Sequence, residues 1–549
     1  RVQMVDDAQT HILPAQTEAL DNVALLHGLE SGAALLELLE PRVERAGQMF
    51  DALAPEQNGQ LSNDPDILLD ELKGFGVPDP SAAARRVADW RSGKARSLRS
   101  PAAQAAFEAM LPGLLQAVAS GPDPERALNR LSDIVERLSS GVNFFRLLEA
   151  RPTLAQLLAK ILTHAPALAD QLARRPELFE GLFDASSFDP PPAAEAIAAD
   201  LGKIMGAAPY DVALDKVRRL VNERRFALGV QLIDRRSDPL EVAAGYARVA
   251  EGTVDALAKA AVWEFEDLHG RFPGGELVIV ALGRLGGREL THASDLDIIY
   301  LHTAQPGAMS DGAKPLGPND YFNRLASRVT AALSVPTAAG PLYDVDTRLR
   351  PEGAKGMLVV SLDAFERYQR EEAWTWEHMA LCRARAMFGS AEVRDRTTAL
   401  IEDILNARRD PKKVVSDAVK MRAEIAQHKP PQSNLDVKLG PGGLVDLEFA
   451  VHVLQLTRGV GFNPQLEFAI AELQIDGLVS SKIVAAQKLL TRMLVMMRLV
   501  APGDVKPTAD TWQLVADACG AASWDELLAE HDVARQSVTD LWTRIKQEA

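Results

Sequence analysis

Three acidic positions in this 549-residue chain have the types and spacing for metal-assisted chemistry on phosphates. Asp295 and Asp297 stand two apart at the head of the apolar run Ile298-Ile299-Tyr300-Leu301. Side chains alternate faces along a strand, so these two carboxylates share a face while Ile298 and Tyr300 take the other. Carboxylates side by side repel each other and are costly unless a cation lies between them. Magnesium suits such a pair, because it accepts carboxylates together with substrate phosphates. The plainer alternative is a solvated strand end. The third acid is Asp346 or its same-face neighbour Asp344, in Asp344-Val345-Asp346-Thr347-Arg348-Leu349-Arg350-Pro351, and spacing alone does not choose between them. Alternation there places Asp344, Asp346, Arg348 and Arg350 on one face. The acid would complete a metal cage or draw a proton from an attacking hydroxyl, and the arginines would neutralise polyphosphate charge with bidentate geometry. Alone, the segment also reads as a structural Asp–Arg ladder.

These residues need a sheet to hold them. Glu276-Leu277-Val278-Ile279-Val280-Ala281-Leu282 reads as a buried strand. It runs into Gly283-Arg284-Leu285-Gly286-Gly287, where glycines let backbone N–H groups approach a phosphate. On turn chemistry alone this is an ordinary strand-ending turn. Asp295 to Leu301 is the second strand, entered through Ser294. The third and fourth are expected over 342–350 and 357–361, with helices over 321–333 and 364–387. A second Asp-x-Asp, Asp64-Pro65-Asp66, has no strand and no glycine turn before it and reads as a helix cap.

Around the sheet the sequence is helical. Aromatics are 5% and charged residues 25%, and Ala and Leu are abundant; this mix favours helix over sandwich or barrel. Prolines punctuate helices over 101–183, and Pro190-Pro191-Pro192 is the clearest linker. The fold class expected is mostly α with an embedded α+β domain. A net charge of −16 without a basic stripe disfavours a polynucleotide partner. Cys382 and Cys519 belong to no Cys/His cluster, which disfavours a zinc site or disulfide framework. No apolar run approaches the length of a membrane span. The opening Arg1-Val2-Gln3-Met4 is not a signal peptide; lacking an initiator Met, it reads as part of something longer, with the cytoplasm as the default location.

Glycine turn, Asp-x-Asp strand and later acidic strand, in that order, resemble the DNA polymerase β-like nucleotidyltransferase superfamily. The match narrows with Arg288-Glu289-Leu290, with Trp374-Thr375-Trp376-Glu377-His378 leading to Arg383-Ala384-Arg385, and with Lys438-Leu439-Gly440-Pro441-Gly442-Gly443-Leu444-Val445-Asp446-Leu447-Glu448-Phe449. Together these resemble the glutamine synthetase adenylyltransferase/adenylyl-removing enzyme family, whose members join a deadenylylating half to an adenylylating half. The text from Ala373 to His378 is similar to the adenylylating, C-terminal half. The resemblance implies a polymerase β-like sheet flanked by helical domains. It divides the chain into 1–60, the end of the first half; 61–192, a helical linker or regulatory region; 193–390, the nucleotidyltransferase domain; and 391–549, a C-terminal helical bundle.

The same resemblance implies ATP-dependent transfer of AMP to a tyrosine of glutamine synthetase, with regulation by a PII signalling protein and by glutamine. It implies Asp295, Asp297 and Asp346 as catalytic metal ligands, with Mg2+ as the ion. Gly286, Gly287 and Ser294 would cradle the β and γ phosphates, and Arg348 and Arg350 would face the leaving pyrophosphate. Two rivals stand beside this reading: phosphorolytic removal of AMP, and a non-catalytic nucleotide-binding module. Other positions have ordinary readings. Arg383 and Arg385 are expected as solvated arginines on the helix carrying Trp376. Trp374 and Trp376 are expected in the core, His292 and His378 in structural roles, and Arg218-Arg219 and Arg224-Arg225 on a solvated helix face. Asp344 is expected as a supporting acid, and Glu448 as a helix-dipole residue or a domain-interface acid.

Overall fold

A computed structural model describes residues 13–14, 16–53, 60–121, 123–138, 140–503 and 506–548. The chain forms two compact units, Arg1–Leu61 and Ser62–Ala549. In the first, the helices Thr17–Leu26 and Gly32–Leu53 are joined by a short turn. There Gly32 N–H donates to the Asp21 carboxylate at 2.6 Å, and Ala24 and Leu35 are buried.

The second unit is mostly helical, and six of its helices start by one local rule. Asp64-Pro65, Asp79-Pro80, Ser100-Pro101, Asp123-Pro124, Asp238-Pro239 and Asp410-Pro411 each put a capping oxygen on the first-turn N–H groups and a proline at the first helical position. The cap satisfies an orphan donor, and proline has no N–H to orphan. Asp64 is therefore the cap the sequence indicated, accepting from Asp66 N and Ile67 N.

Two long helices, Tyr210–Ile233 and Pro239–His269, lead into the sheet. The sheet has five strands: β1 (Leu277–Ala281), β2 (Leu296–His302), β3 (Val345–Asp346), β4 (Val359–Ser361) and β5 (Arg385–Phe388). β1 lies between β2 and β5 and is antiparallel to both. β3 and β4 run parallel to β2 at successive places along it, β3 at Leu296–Asp297 and β4 at Tyr300–His302. Every residue of β1 is buried. The helix Pro318–Ser334 is tied to β2 by a hydrogen bond between the Tyr300 and Thr330 hydroxyls at 2.9 Å. The helices Leu444–Arg458, Ser481–Val500 and Trp524–Glu548 follow. The expected class, helices around a small mixed sheet, is what the chain forms. No helix among the described residues is long and apolar enough to cross a membrane.

Three local expectations are corrected. The helix expected over 364–387 is two helices, Leu362–Glu371 and Thr375–Leu381, followed by β5. β5 forms because Ala281 and Ile279 of β1 offer a free edge to Arg385 and Phe388. The strand expected over 342–350 pairs only at Val345–Asp346. Beyond it the chain turns, Arg350 N–H reaching Thr347 O at 3.3 Å, and Pro351 cannot donate to a ladder. Residues Gly283–Gly286 form one short helical turn where a strand-ending turn was expected.

Candidate active site

The parallel pairing of β2 with β3 places Asp297 opposite Asp346. Asp295 lies two positions earlier on the same face. One carboxylate oxygen from each of the three lies within 4.8 Å of the others. Asp295 is exposed, while Asp297 and Asp346 are half-buried. Burial, and then the neighbouring carboxylates of Asp295 and Asp346, push Asp297 up to about 6, against the opposing pull of Lys438 and Arg383. Asp346 is held below the ordinary carboxylate range, first by its hydrogen bonds to the Arg348 side chain. Arg348 Nε lies 3.0 and 2.9 Å from the two Asp346 oxygens, and Arg348 N–H donates to Oδ1 at 2.8 Å. The cluster offers oxygen donors only, which suits a hard divalent cation. Part of the rise in Asp297 comes from repulsion by Asp295 and Asp346, which a bound cation would offset.

Gly283 has φ of +52°, and a Cβ there would stand 2.4 Å from Asp297 Oδ2. Only glycine lets this backbone pass so close to the carboxylate. Gly286 and Gly287 lie differently from the phosphate cradle expected. Their N–H groups donate to Leu282 O at 2.8 Å and Gly283 O at 3.1 Å, so neither is open to an anion. A Cβ on Gly286 would fall 1.8 Å from Arg383 O, and one on Gly287 2.0 Å from Arg383 Nη2. These two glycines make room for Arg383. Ser294 Oγ accepts from Thr291 N at 2.9 Å and meets Thr291 Oγ1 at 2.9 Å, closing the loop before Asp295. Arg350 donates to Thr347 O at 2.8 Å and Oγ1 at 3.0 Å, bracing the turn after β3. Asp344 is exposed, and its carbonyl accepts from Leu296 N–H at 2.9 Å.

Arg383 is not a solvated arginine, and neither it nor Arg385 lies on the Trp376 helix. Arg383 follows that helix in a tight turn, and its side chain is 4% exposed. Its guanidinium donates to Glu448 Oε1 at 2.6 Å and Glu289 Oε2 at 3.2 Å. Gln487 completes Glu289 at 3.2 Å. A single buried guanidinium thus joins the loop before β2 to the helix Leu444–Arg458, and Glu448 acts as an interface acid. Arg385, on β5, pairs with the buried Glu251 at 2.5 Å. Neighbouring Gly-Gly was the sequence sign of the buried arginine; the identity of that arginine was not legible.

Six further residues also depart from, or bear out, their ordinary readings. Trp374 is 69% exposed rather than in the core; with half-buried Trp376 it lines a cleft of about 330 Å³ beside Asp417 and Lys420. His292 is structural, its ring meeting Tyr246 OH at 3.4 Å, and burial pushes it down to about 3. His378 is structural as well, bound to Gln369 O at 2.8 Å. Arg218 and Arg225 do not lie on a solvated face: Arg218 is 1% exposed, and both donate to backbone carbonyls.

A small mixed sheet that gathers three aspartates inside a helical protein has the form of a nucleotidyltransferase core. A family profile described as glutamate-ammonia ligase adenylyltransferase matches residues 155–399, the span that carries all three acids. A second, described as GlnD PII-uridylyltransferase, matches 418–545. The bifunctional glutamine synthetase adenylyltransferase/adenylyl-removing enzyme of Agrobacterium fabrum is 35% identical over 98% of this chain and 57% of its own length. That of Rhizobium meliloti is 36% identical over the same shares, and that of Mesorhizobium japonicum 37% identical over 84% of this chain and 48% of its own. The chain belongs to this adenylyltransferase/adenylyl-removing family, and it spans about half the length of the curated relatives it matches.

Proposed function

We propose that the chain transfers AMP from ATP to a tyrosine hydroxyl of glutamine synthetase. The observation that carries this reading is the convergence of Asp295, Asp297 and Asp346 within 4.8 Å, in a chain whose relatives are named for that substrate. The tyrosine oxygen bonds to the α-phosphorus as the bond to the pyrophosphate oxygen breaks, and the phenolic proton passes to Asp346. Asp295, Asp297 and Asp346 are the catalytic carboxylates and would hold Mg2+, which when bound offsets charge on the entering and leaving oxygens. Arg348, with a side chain 75% exposed, is free to turn from Asp346 to the leaving pyrophosphate. That move removes the main influence holding Asp346 low and makes it a better base. Arg350 adds positive charge on the same side; Gly286, Gly287 and Ser294 shape the loop beneath the phosphates.

The proposed domains are 1–60, 61–192, 193–390 and 391–549, with the catalytic unit third. A PII signalling protein and glutamine are the proposed regulators, and the cytoplasm the proposed location. The relatives' names carry a second activity, removal of AMP, and the same acids would serve phosphorolysis. Labelled ATP incubated with purified glutamine synthetase, with and without PII protein and glutamine, tests the first direction. Adenylylated glutamine synthetase incubated with phosphate, with ADP as the readout, tests the second. Label on glutamine synthetase supports the proposal; ADP release without label transfer replaces it with the reverse reaction.

A further inference from the structure

The third acid of the cluster hangs on little sheet. β3 is two residues long, paired through Leu296–Val345 and Asp297–Asp346, with one added bond from Leu296 N–H to Asp344 O at 2.9 Å. Three carboxylates within 4.8 Å push apart, and a ladder this short resists poorly. The missing restraint comes from the helix Tyr210–Ile233. Arg225 Nη1 donates to Leu342 O at 2.5 Å, and Nη2 of the same guanidinium donates to His292 O at 2.8 Å. Its plane lies over the Tyr343 ring, Cζ 4.5 Å from the centroid. His292 stands three positions before Asp295, and Leu342 four before Asp346. One rigid fork therefore spans the two loops that deliver the acids.

Two more residues on the same helix face extend this grip away from the acids. Asn222 donates to Pro341 O at 3.3 Å, and Arg218 to Ala332 O at 2.8 Å and Val335 O at 2.7 Å. Spacings of four and three along the helix bring 218, 222 and 225 into line. Each holds backbone rather than a carboxylate. Of these three, only Arg225 touches both approaches to the site.

We propose that Arg225 is a positioning residue that fixes the distance between the Asp295–Asp297 pair and Asp346, and with it the affinity of the site for a divalent cation. This rests on the reading of the three acids as a metal site. A guanidinium is suited to the task because its donors sit at fixed separation; a lysine ammonium is a single point that reaches one carbonyl at a time. Supporting groups behind metal ligands commonly carry a ten- to hundredfold effect on affinity.

Calorimetric titration of the full chain with Mn2+, alongside circular dichroism and thermal melting, tests the proposal. Wild type binds Mn2+ and Asp297→Asn loses most of that binding. Arg225→Met and Arg225→Lys bind about tenfold more weakly or worse, and each raises the metal concentration for half-maximal AMP transfer. Arg218→Met melts at a lower temperature yet binds Mn2+ like wild type. Should Arg225→Met fail to fold, Arg225→Lys carries the measurement. Wild-type affinity in the folded Arg225 variants overturns the proposal, as does equal weakening in Arg218→Met. If wild type itself takes up no Mn2+, the metal reading falls and this inference with it; wild-type binding with undisturbed Arg225 variants removes this inference alone.

Discussion

Asp297 and Asp346 face each other across one rung of the sheet, yet their surroundings drive them in opposite directions. Asp297 lies on a central strand, behind Gly283 and between two other acids, and is raised to about 6. Asp346 lies at the end of a two-residue strand and is lowered by an arginine two positions on in its own turn. The inner wall of the site is built from distant parts of the chain: β1, β2, Arg383 and Glu448. The outer wall is local, with Arg348 and Arg350 bonding within the segment 346–356. A half-buried acid with no side-chain cation bonded to it is relieved either by taking up a proton or by a bound cation. A half-buried acid paired with an exposed arginine of its own turn can release that arginine to a ligand.

The largest effect expected from breaking this contrast is at the inner wall. Asp297→Asn removes the central carboxylate while keeping its shape. AMP transfer should fall on the order of a thousandfold, a loss comparable to removing a group that stabilises transition-state charge. The cation-free variant at pH 7 should melt no lower than wild type, because the charge removed is a disfavoured one. Near-normal transfer by the folded variant would take Asp297 out of the chemistry.

Arg383→Met strikes the same wall through its packing. It leaves Glu289 and Glu448 facing each other without the guanidinium between them. Removing one partner from a buried ionic cluster costs about 3–5 kcal/mol, and a urea denaturation series measures it. Adding Glu448→Gln to Arg383→Met should restore part of the loss, since Arg284 is then left to balance Glu289 alone rather than both glutamates. A single variant as stable as wild type would mean that the cluster does not tie the sheet to the C-terminal helices.

The difference between the walls also decides what the sequence could reveal. The inner strands were legible because β1 is a β-branched run ending in glycines, and β2 is an acid pair entering another such run. β5 was not: Arg385-Ala386-Met387-Phe388 contains good helix formers and follows a helix, and it is a strand only because β1 has an edge to fill. β3 was overextended because the alternation of Asp and Arg continues to Arg350, whereas the pairing stops at Asp346. The glycines at 286 and 287 were visible, but their reason was not, since it is an arginine almost a hundred positions away. Arg218 and Arg225 looked solvated because doubled arginines usually are. Their partners are carbonyls, which every residue has and which leave no mark in a sequence. Asp295 and Asp297 were legible from their shared strand face behind the glycine turn, and Asp346 from its family-like motif; residues that meet only through the fold escaped.

A smaller effect sharpens the comparison through pH. Asp297 in the folded chain titrates near 6, above the ordinary 3.8 of an unfolded aspartate. Between these values the folded state binds more protons, so this group makes the cation-free protein less stable as pH rises from about 4 to about 6. The loss is on the order of 1–3 kcal/mol. The difference in melting temperature between wild type and Asp297→Asn should therefore widen across that window and level off above it. Saturating Mg2+ should abolish the widening. A constant difference from pH 4 to pH 7 would show that Asp297 is already ionised at the low end.

Arg348→Ala tests the outer wall, and the smallest effect on stability is expected there. Its side chain is 75% exposed, and its bonds close a turn of the chain on itself. Loss of the guanidinium should leave the melting temperature nearly unchanged, as exposed pairs usually do. The Asp346 carboxyl should rise toward its ordinary range, because hydrogen bonding to Arg348 is the largest influence lowering it. Two functional consequences then oppose each other. Asp346 becomes a stronger base, but the leaving pyrophosphate loses a cation. If Arg348 serves the nucleotide, the second effect dominates: transfer falls about tenfold, the KM for ATP rises, and Arg348→Lys recovers part of the loss by restoring charge without the fork. If Arg348 serves only to hold Asp346, KM for ATP stays constant and transfer changes only at low pH, where the raised carboxyl takes up its proton.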